Sequence, residues 1–186
     1  MARVFVVGSF NVDHVWRVAS LPQAGATLSG EYATGPGGKG FNQAMAARRA
    51  GADTRFPCAL GEDASAQLAR ALCTADGIDL HDARADAPTG TAGIYVDDAG
   101  RNSIVIGPGA NAMLSVAHVD EALAGVQAGD VVLRRLESPL DAVAAALDRA
   151  RAAGALAMLN PAPANVVVNR RMLERADVMT PNETEF

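Results

Sequence analysis

The sequence predicts an α/β protein in which a mostly parallel sheet is covered by helices on both faces and carries a small antiparallel β-lid. Three observations lead there. From residue 54 onward, strand-like and helix-like segments alternate, the pattern of right-handed βαβ units. The strand-like segments are short apolar runs, as strands buried on both faces are. Two stretches of mixed polar and apolar residues around turn signals break that rhythm and read as exposed antiparallel pieces. The composition agrees. A chain of 186 residues, 49% hydrophobic, 20% charged, with 18 glycines and few aromatics, suits close helix-on-sheet packing around a core of reasonable size.

Val4 to Phe10 reads as the first buried strand, ended by Gly8-Ser9. Val12 to Val18 and Thr27 to Thr34, around the turn Leu21-Pro22-Gln23-Ala24-Gly25, read as exposed antiparallel strands. The glycine-rich turn Gly35-Pro36-Gly37-Gly38-Lys39-Gly40 then opens a helix running to about Ala50, with Gly51 as its stop. Arg55 to Leu60 is a core strand, Asp63 to Ala75 a helix with Asp63 near its start, and Ile78 to Ala83 a strand. Gly93 to Val96 and Asn102 to Ile106 flank Asp97-Asp98-Ala99-Gly100, a hairpin signal. Helices over Val116–Leu123 and Leu140–Ala153 alternate with strands over Val131–Leu133 and Ala155–Leu159. A short helix ends at Met172 to Arg175, and Val178-Met179 begins a last strand. No repeat, low-complexity segment or linker divides the chain.

Several function classes fall away on composition. The net charge is −5, and no basic run interleaved with aromatics suits nucleic acid. Cys58 and Cys73 form no CxxC pair and read as two reduced thiols, one on a strand and one on a helix. His14, His81 and His118 match no zinc spacing and read as surface or edge residues. The apolar start from Arg3 to Gly8 is too short for a signal h-region, and no stretch nears the ~20 residues of a membrane helix. The expected location is cytoplasmic, with no membrane partner.

Ligands of open α/β sheets bind beyond the C-terminal ends of the strands. Polar residues collect at that rim: Asn11 and Asp13 after the first strand, then Glu137, Asn160, and finally Asn182 and Glu185. Carboxylates and amides there suit a polyhydroxylated ligand. Each also has a plain structural use. Asn11 and Asp13 serve equally as turn formers, Glu137 as a loop residue before Ser138-Pro139, and Asn160 as a pre-proline turn residue. Asn182 and Glu185 have capping-box spacing, with Thr180-Pro181-Asn182-Glu183 a rival box. The glycine-rich turn is sharper. Gly37 and Gly38 let backbone approach a ligand, free N–H groups of a helix start lie behind them, and Lys39 and Asn42 share a helix face. It is not a Walker A loop, because Gly40 follows the lysine.

The run Gly37-Gly38-Lys39-Gly40-Phe41-Asn42-Gln43-Ala44, with Ala46 to Ala52 after it, resembles the N-terminal signature of the ribokinase family of sugar kinases, the phosphofructokinase-B type. Val7-Gly8-Ser9-Phe10-Asn11-Val12-Asp13 resembles that family's opening strand. Pro88-Thr89-Gly90-Thr91-Ala92 and Asn102-Ser103-Ile104 resemble its second lid segment. Leu136-Glu137-Ser138-Pro139, Leu159 to Ala164 and Thr180 to Glu185 resemble three further blocks in the same order.

The resemblance implies a three-layer, Rossmann-like sheet in one incomplete domain over residues 1–186, with lid segments at about 12–34 and 91–107. It implies ATP-dependent phosphate transfer to a primary hydroxyl of a sugar, D-ribose first, with Mg2+ and, in the full-length protein, a monovalent cation such as K+. It places Asn11, Asp13, Gly37, Gly38, Lys39, Asn42 and Glu137 on the sugar, Asn182 and Glu185 at the nucleotide phosphates, and Glu185 on the magnesium indirectly. It implies a homodimer paired through the β-lid. Phe41 and Arg135 depart from the family by standing where small and uncharged residues are usual, which leaves the sugar open to another pentose, a hexose or a nucleoside. The family's base is an Asp in a Gly-Ala-Gly-Asp motif that this chain lacks; Ala128-Gly129-Asp130 reads as a helix-to-strand turn. The base, the adenine pocket and the cation site are therefore expected beyond Phe186, and these residues alone are expected to be inactive or a non-catalytic sugar-binding or dimerising fragment.

Overall fold

The structure is a computed structural model that describes residues 2–163, 166, 170–183 and 185. Ala164, Thr184 and Phe186, which fall within or at the end of stretches named above, lie outside the described residues. In chain order the elements are β1 (Arg3–Val7), β2 (Asn11–Val18), β3 (Glu31–Gly37), α1 (Lys39–Arg49), β4 (Asp53–Leu60), α2 (Ala64–Asp76), β5 (Asp79–Arg84), β6 (Gly90–Asp97) and β7 (Asn102–Gly107). A 3-10 turn (Gly109–Met113) follows, then α3 (Val116–Ala122), β8 (Val131–Arg134), α4 (Leu140–Ala152), β9 (Leu156–Leu159), α5 (Arg170–Leu173) and β10 (Val178–Met179).

Six strands form one sheet in the order β10-β9-β8-β1-β4-β5, and every pair in it is parallel. Side chains alternate across it as the two-residue period of a strand requires. Phe5 and Val7 of β1, Ala59 of β4 and Val132 of β8 enter one core, with Val119 and Leu123 from α3's side and Ala142, Val143, Ala146, Leu147 and Ala150 of α4. Val6, Phe56, Cys58 and Leu60 enter the other, with Phe41 and Ala44 of α1 and Ala66, Ala69 and Cys73 of α2. This is the expected three-layer arrangement. Asp63 caps α2 by accepting from the Ala66 N–H at 2.8 Å, and Gly77 (φ 69°) closes it. Both cysteines are free and buried, on a strand and a helix as expected.

The chain leaves β1 toward β4 and leaves β8 toward β9, in opposite directions along the sheet. The neighbours β1 and β8 therefore flank the topological switch point, where the loops diverge and open a crevice.

The lid is a separate sheet, β3-β2-β6-β7. It consists of two antiparallel hairpins joined by a parallel pair, with Asn11 of β2 opposite both Gly37 of β3 and Gly90 of β6. Its second strand corrects the expected boundaries. The strand runs over 31–37, not 27–34, so Gly35-Pro36-Gly37 is strand and not turn. Backbone pairing with β2 outweighs turn propensity here, and Pro36 is tolerated because β3 is an edge strand.

One core residue is discordant. Arg134 is fully buried; its Nη1 donates to the Val7 carbonyl at 2.6 Å, Nε and Nη2 lack a partner among the described residues, and burial lowers its pKa to about 9.

Candidate active site

The switch point gathers residues from three elements. Gly38 precedes α1 with φ 89°, a conformation glycine adopts without strain, and its Cα packs close to the backbone of Ser9, Phe10 and Asn11. That approach turns the first N–H groups of α1 toward the loop after β8. The Lys39 N–H donates to Glu137 Oε2 at 3.1 Å, the Lys39 ammonium to Oε1 at 2.6 Å, and the Ser9 hydroxyl to Oε2 at 2.5 Å. Glu137 is thus anchored from β1's end and α1's start at once, and charge-assisted bonds of this kind are the strong ones.

Asp13, the third residue of β2, faces the same charges. Burial raises its pKa, the Glu137 carboxylate raises it further, and Lys39 opposes the rise. A Cβ at 37 would strike the Asp13 carboxylate, so a larger residue there would displace that side chain. Asn42 lies exposed on the first turn of α1, beyond Lys39. Asn11 is buried and lines a cleft of about 460 Å³ with Ser9, Asn111, Glu137, Ile106 and Pro163. The expected residues Asn11, Asp13, Gly37, Gly38, Lys39 and Glu137 thus meet at one place.

Asn182 and Glu185 stand apart, after β10. The Glu185 N–H donates to Asn182 Oδ1 at 3.0 Å and the Asn182 N–H to Glu185 Oε2 at 3.1 Å, the reciprocal pattern of a capping box. Asn160 ties β9 to β10 through the Thr180 carbonyl. Arg135 links the two groups electrostatically. Burial lowers its pKa, while Glu137 and Glu185 both pull it back up.

Two residues of the site escaped the sequence reading. Ser9 looked like the end of a strand, and Asn111 lies in a turn with no assigned role. The available signal for Asn111 was one amide in the glycine- and alanine-rich run Pro108-Gly109-Ala110-Asn111-Ala112. Ala128-Gly129-Asp130 is a turn, as expected: Asp130 N–H bonds the Gln127 carbonyl and its carboxylate pairs with Arg3 at 2.6 Å. A second cleft, about 580 Å³, lies beyond β4 and β5. Its Asp63 carboxylate is committed to Ala66 and Thr89, and its Glu62–Arg84 pair is exposed to solvent, so it offers no comparable cluster.

The fold is that of an α/β protein whose doubly-wound parallel sheet carries a second, separate four-stranded sheet beside the switch point. The description "pfkB family carbohydrate kinase" matches residues 1–186, and the chain belongs to that family. It is 39% identical over 183 residues to a ribokinase of Haemophilus influenzae, covering 97% of this chain and 60% of that protein. It is 40% identical over 189 residues to a bifunctional ribokinase/ribose-5-phosphate isomerase A of Fructilactobacillus sanfranciscensis, covering 100% of this chain and 35% of that one. An Arabidopsis thaliana ribokinase solved complexed with ribose and ATP superposes with a TM-score of 0.81 at 30% identity, covering 100% of this chain and 62% of that chain. The chain thus spans about three-fifths or less of the length of these relatives.

Proposed function

We propose that this chain is the sugar-binding part of an ATP-dependent sugar kinase whose substrate is D-ribose and whose product is ribose 5-phosphate. The observation that carries the reading is the anchored Glu137, held by Ser9 and Lys39 beside Asn11 and Asp13. Carboxylates and amides fixed by their neighbours accept from and donate to sugar hydroxyls without first reorganising. The likeness to ribokinases supports ribose over other sugars.

Asn11, Asp13, Lys39, Asn42 and Glu137, with the backbone at Gly37 and Gly38, contact the sugar. The lid closes over it and excludes water, which would otherwise compete for the phosphoryl group. Asn182 and Glu185 lie on the nucleotide-phosphate side, with Arg135 between. Glu185 is a single carboxylate, and no cluster of three acidic or histidine ligands occurs among the described residues. That suits Mg2+ held mainly by phosphate oxygens and waters, with Glu185 acting through them. The base that takes the hydroxyl proton, the adenine pocket and a K+ site belong to residues outside this chain, so these 186 residues bind sugar without transferring phosphate. The working protein is cytoplasmic and a homodimer through the lid.

Isothermal titration of the 186-residue chain with D-ribose, 2-deoxy-D-ribose, D-fructose and adenosine tests the reading. Saturable binding of ribose, tighter than of the other three, is expected. Binding of adenosine alone overturns it in favour of a nucleoside kinase.

A further inference from the structure

Asn111 is 3% exposed, in the 3-10 turn that follows the lid's last strand. Its Oδ1 accepts from the Phe10 N–H at 3.0 Å, and its Nδ2 donates to the Phe10 carbonyl at 3.0 Å. Both backbone groups of one residue are read by one amide, so its orientation is unambiguous: oxygen toward N–H, nitrogen toward C=O. The same Nδ2 donates to Asn11 Oδ1 at 2.8 Å. That bond in turn settles Asn11, whose carbonyl oxygen must face Asn111 and whose NH2 group is left for the cleft.

The contact sits where the lid joins the sheet. Asn11 begins β2, Gly90 opposite it begins β6, and β7 ends at Gly107, two residues before the turn that carries Asn111. A Cβ at position 90 would collide with Asn111 Nδ2 and Asn11 Oδ1, so the bond exists only because residue 90 is glycine. One amide 100 positions along the chain thus ties the turn after the second lid hairpin to the segment that leads from the central strand into the first.

We propose that Asn111 is a positioning residue of the sugar site: it turns the Asn11 amide so that its NH2 donates into the cleft, and it pins the line on which the lid hinges. The role in sugar binding rests on the reading of Asn11 as a sugar contact; the pin does not. Asn111→Asp keeps the size and the acceptor for Phe10 N–H but sets an oxygen against the Phe10 carbonyl and Asn11 Oδ1. Asn111→Ala removes all three bonds.

Hydrogen–deuterium exchange of the 186-residue chain and a D-ribose titration test this together. Both variants should raise exchange in segments 11–18 and 90–97 by about tenfold or more while β4 and β8 keep wild-type protection, since a lost buried bond acts locally. Ribose affinity should fall about tenfold, and Asn111→Ala on top of Asn11→Ala should cost little more, because Asn111 acts through Asn11. Unchanged lid exchange in both variants overturns the pin. So does an equal rise in lid and core in both, which marks a merely structural residue. Full additivity with Asn11→Ala overturns the positioning. A wild-type chain that binds no sugar defeats the sugar reading, and the exchange pattern still decides the pin.

Discussion

Two rims of the crevice are built differently. At the rim of β1, α1 and β8, Glu137 takes three bonds from residues more than 95 positions away, and Asn11 and Ser9 are buried. At the rim after β10, Asn182 and Glu185 bond each other across three positions in an exposed turn. The first set is held by tertiary structure and keeps its geometry without a ligand. The second is held by local turn chemistry, in which each side chain accepts from the other residue's backbone N–H. One rim fixed by long-range tertiary bonds facing another fixed by a local turn is the division this difference teaches, and under the proposed function the first is the sugar side and the second the phosphate side.

The largest test asks whether the divide separates binding from chemistry. Ribose-dependent ADP release by the 186-residue chain should not rise above a blank if, as proposed, the general base lies outside it, a loss that costs ~10²–10⁴-fold. Measurable turnover would place the base within these residues. Next, Glu137→Ala should lower ribose affinity about 100-fold by calorimetry, because bonds to a charged group are worth ~1.5–3 kcal/mol each and Lys39 is left unpaired. Little change there would erase the contrast between the rims.

A third test concerns the sheet beneath the rims. Leu156, Val178 and Met179 are exposed at the β9–β10 end, and exposed strand edges template association. Light scattering of the isolated chain should show species larger than a dimer. A monodisperse monomer or dimer with a sharp melt above ~50 °C would show that this end needs no further cover.

Asp13 sets function against stability. Its raised folded-state pKa means that ionising it costs the folded protein. Stability is greater below its ordinary value of 3.8 and is lost as pH rises through the raised value. Asp13→Asn should therefore raise the melting temperature at neutral pH while weakening ribose binding about tenfold. Wild-type ribose affinity should fall as pH drops into the same window, because the carboxylate is the form that accepts hydroxyl protons. A melting temperature lowered by the substitution would refute the assignment. The smallest effect belongs to the outer rim: Glu185→Ala should change ribose affinity by less than about twofold, and a larger loss would show that the rims are not independent.

Much of this was legible in the residues. The parallel sheet followed from βα alternation, the hairpin β6–β7 from Asp97-Asp98-Ala99-Gly100, and the cap of α2 from Asp63, because these depend on neighbours a few positions apart. The candidate set Asn11, Asp13, Lys39 and Glu137 was legible as types at strand ends, and the fold gathered it. Boundaries set by partner strands were not. Pro36 and its flanking glycines spell a turn locally, and only β2 alongside makes them strand.

The sequence by itself determined the elements, their layering and the chemical character of the rim, since periodicity and turn chemistry act over short range. Tertiary structure alone decided which polar groups are spoken for. Ser9 became a prop for Glu137, Asn111 a clamp on Asn11, and Arg134 a guanidinium sealed in the core with one carbonyl partner. A hydrogen bond between residues 100 positions apart leaves no trace in local composition. It exists because strand order brings two distant segments within 3 Å, and burial makes the pairing obligatory.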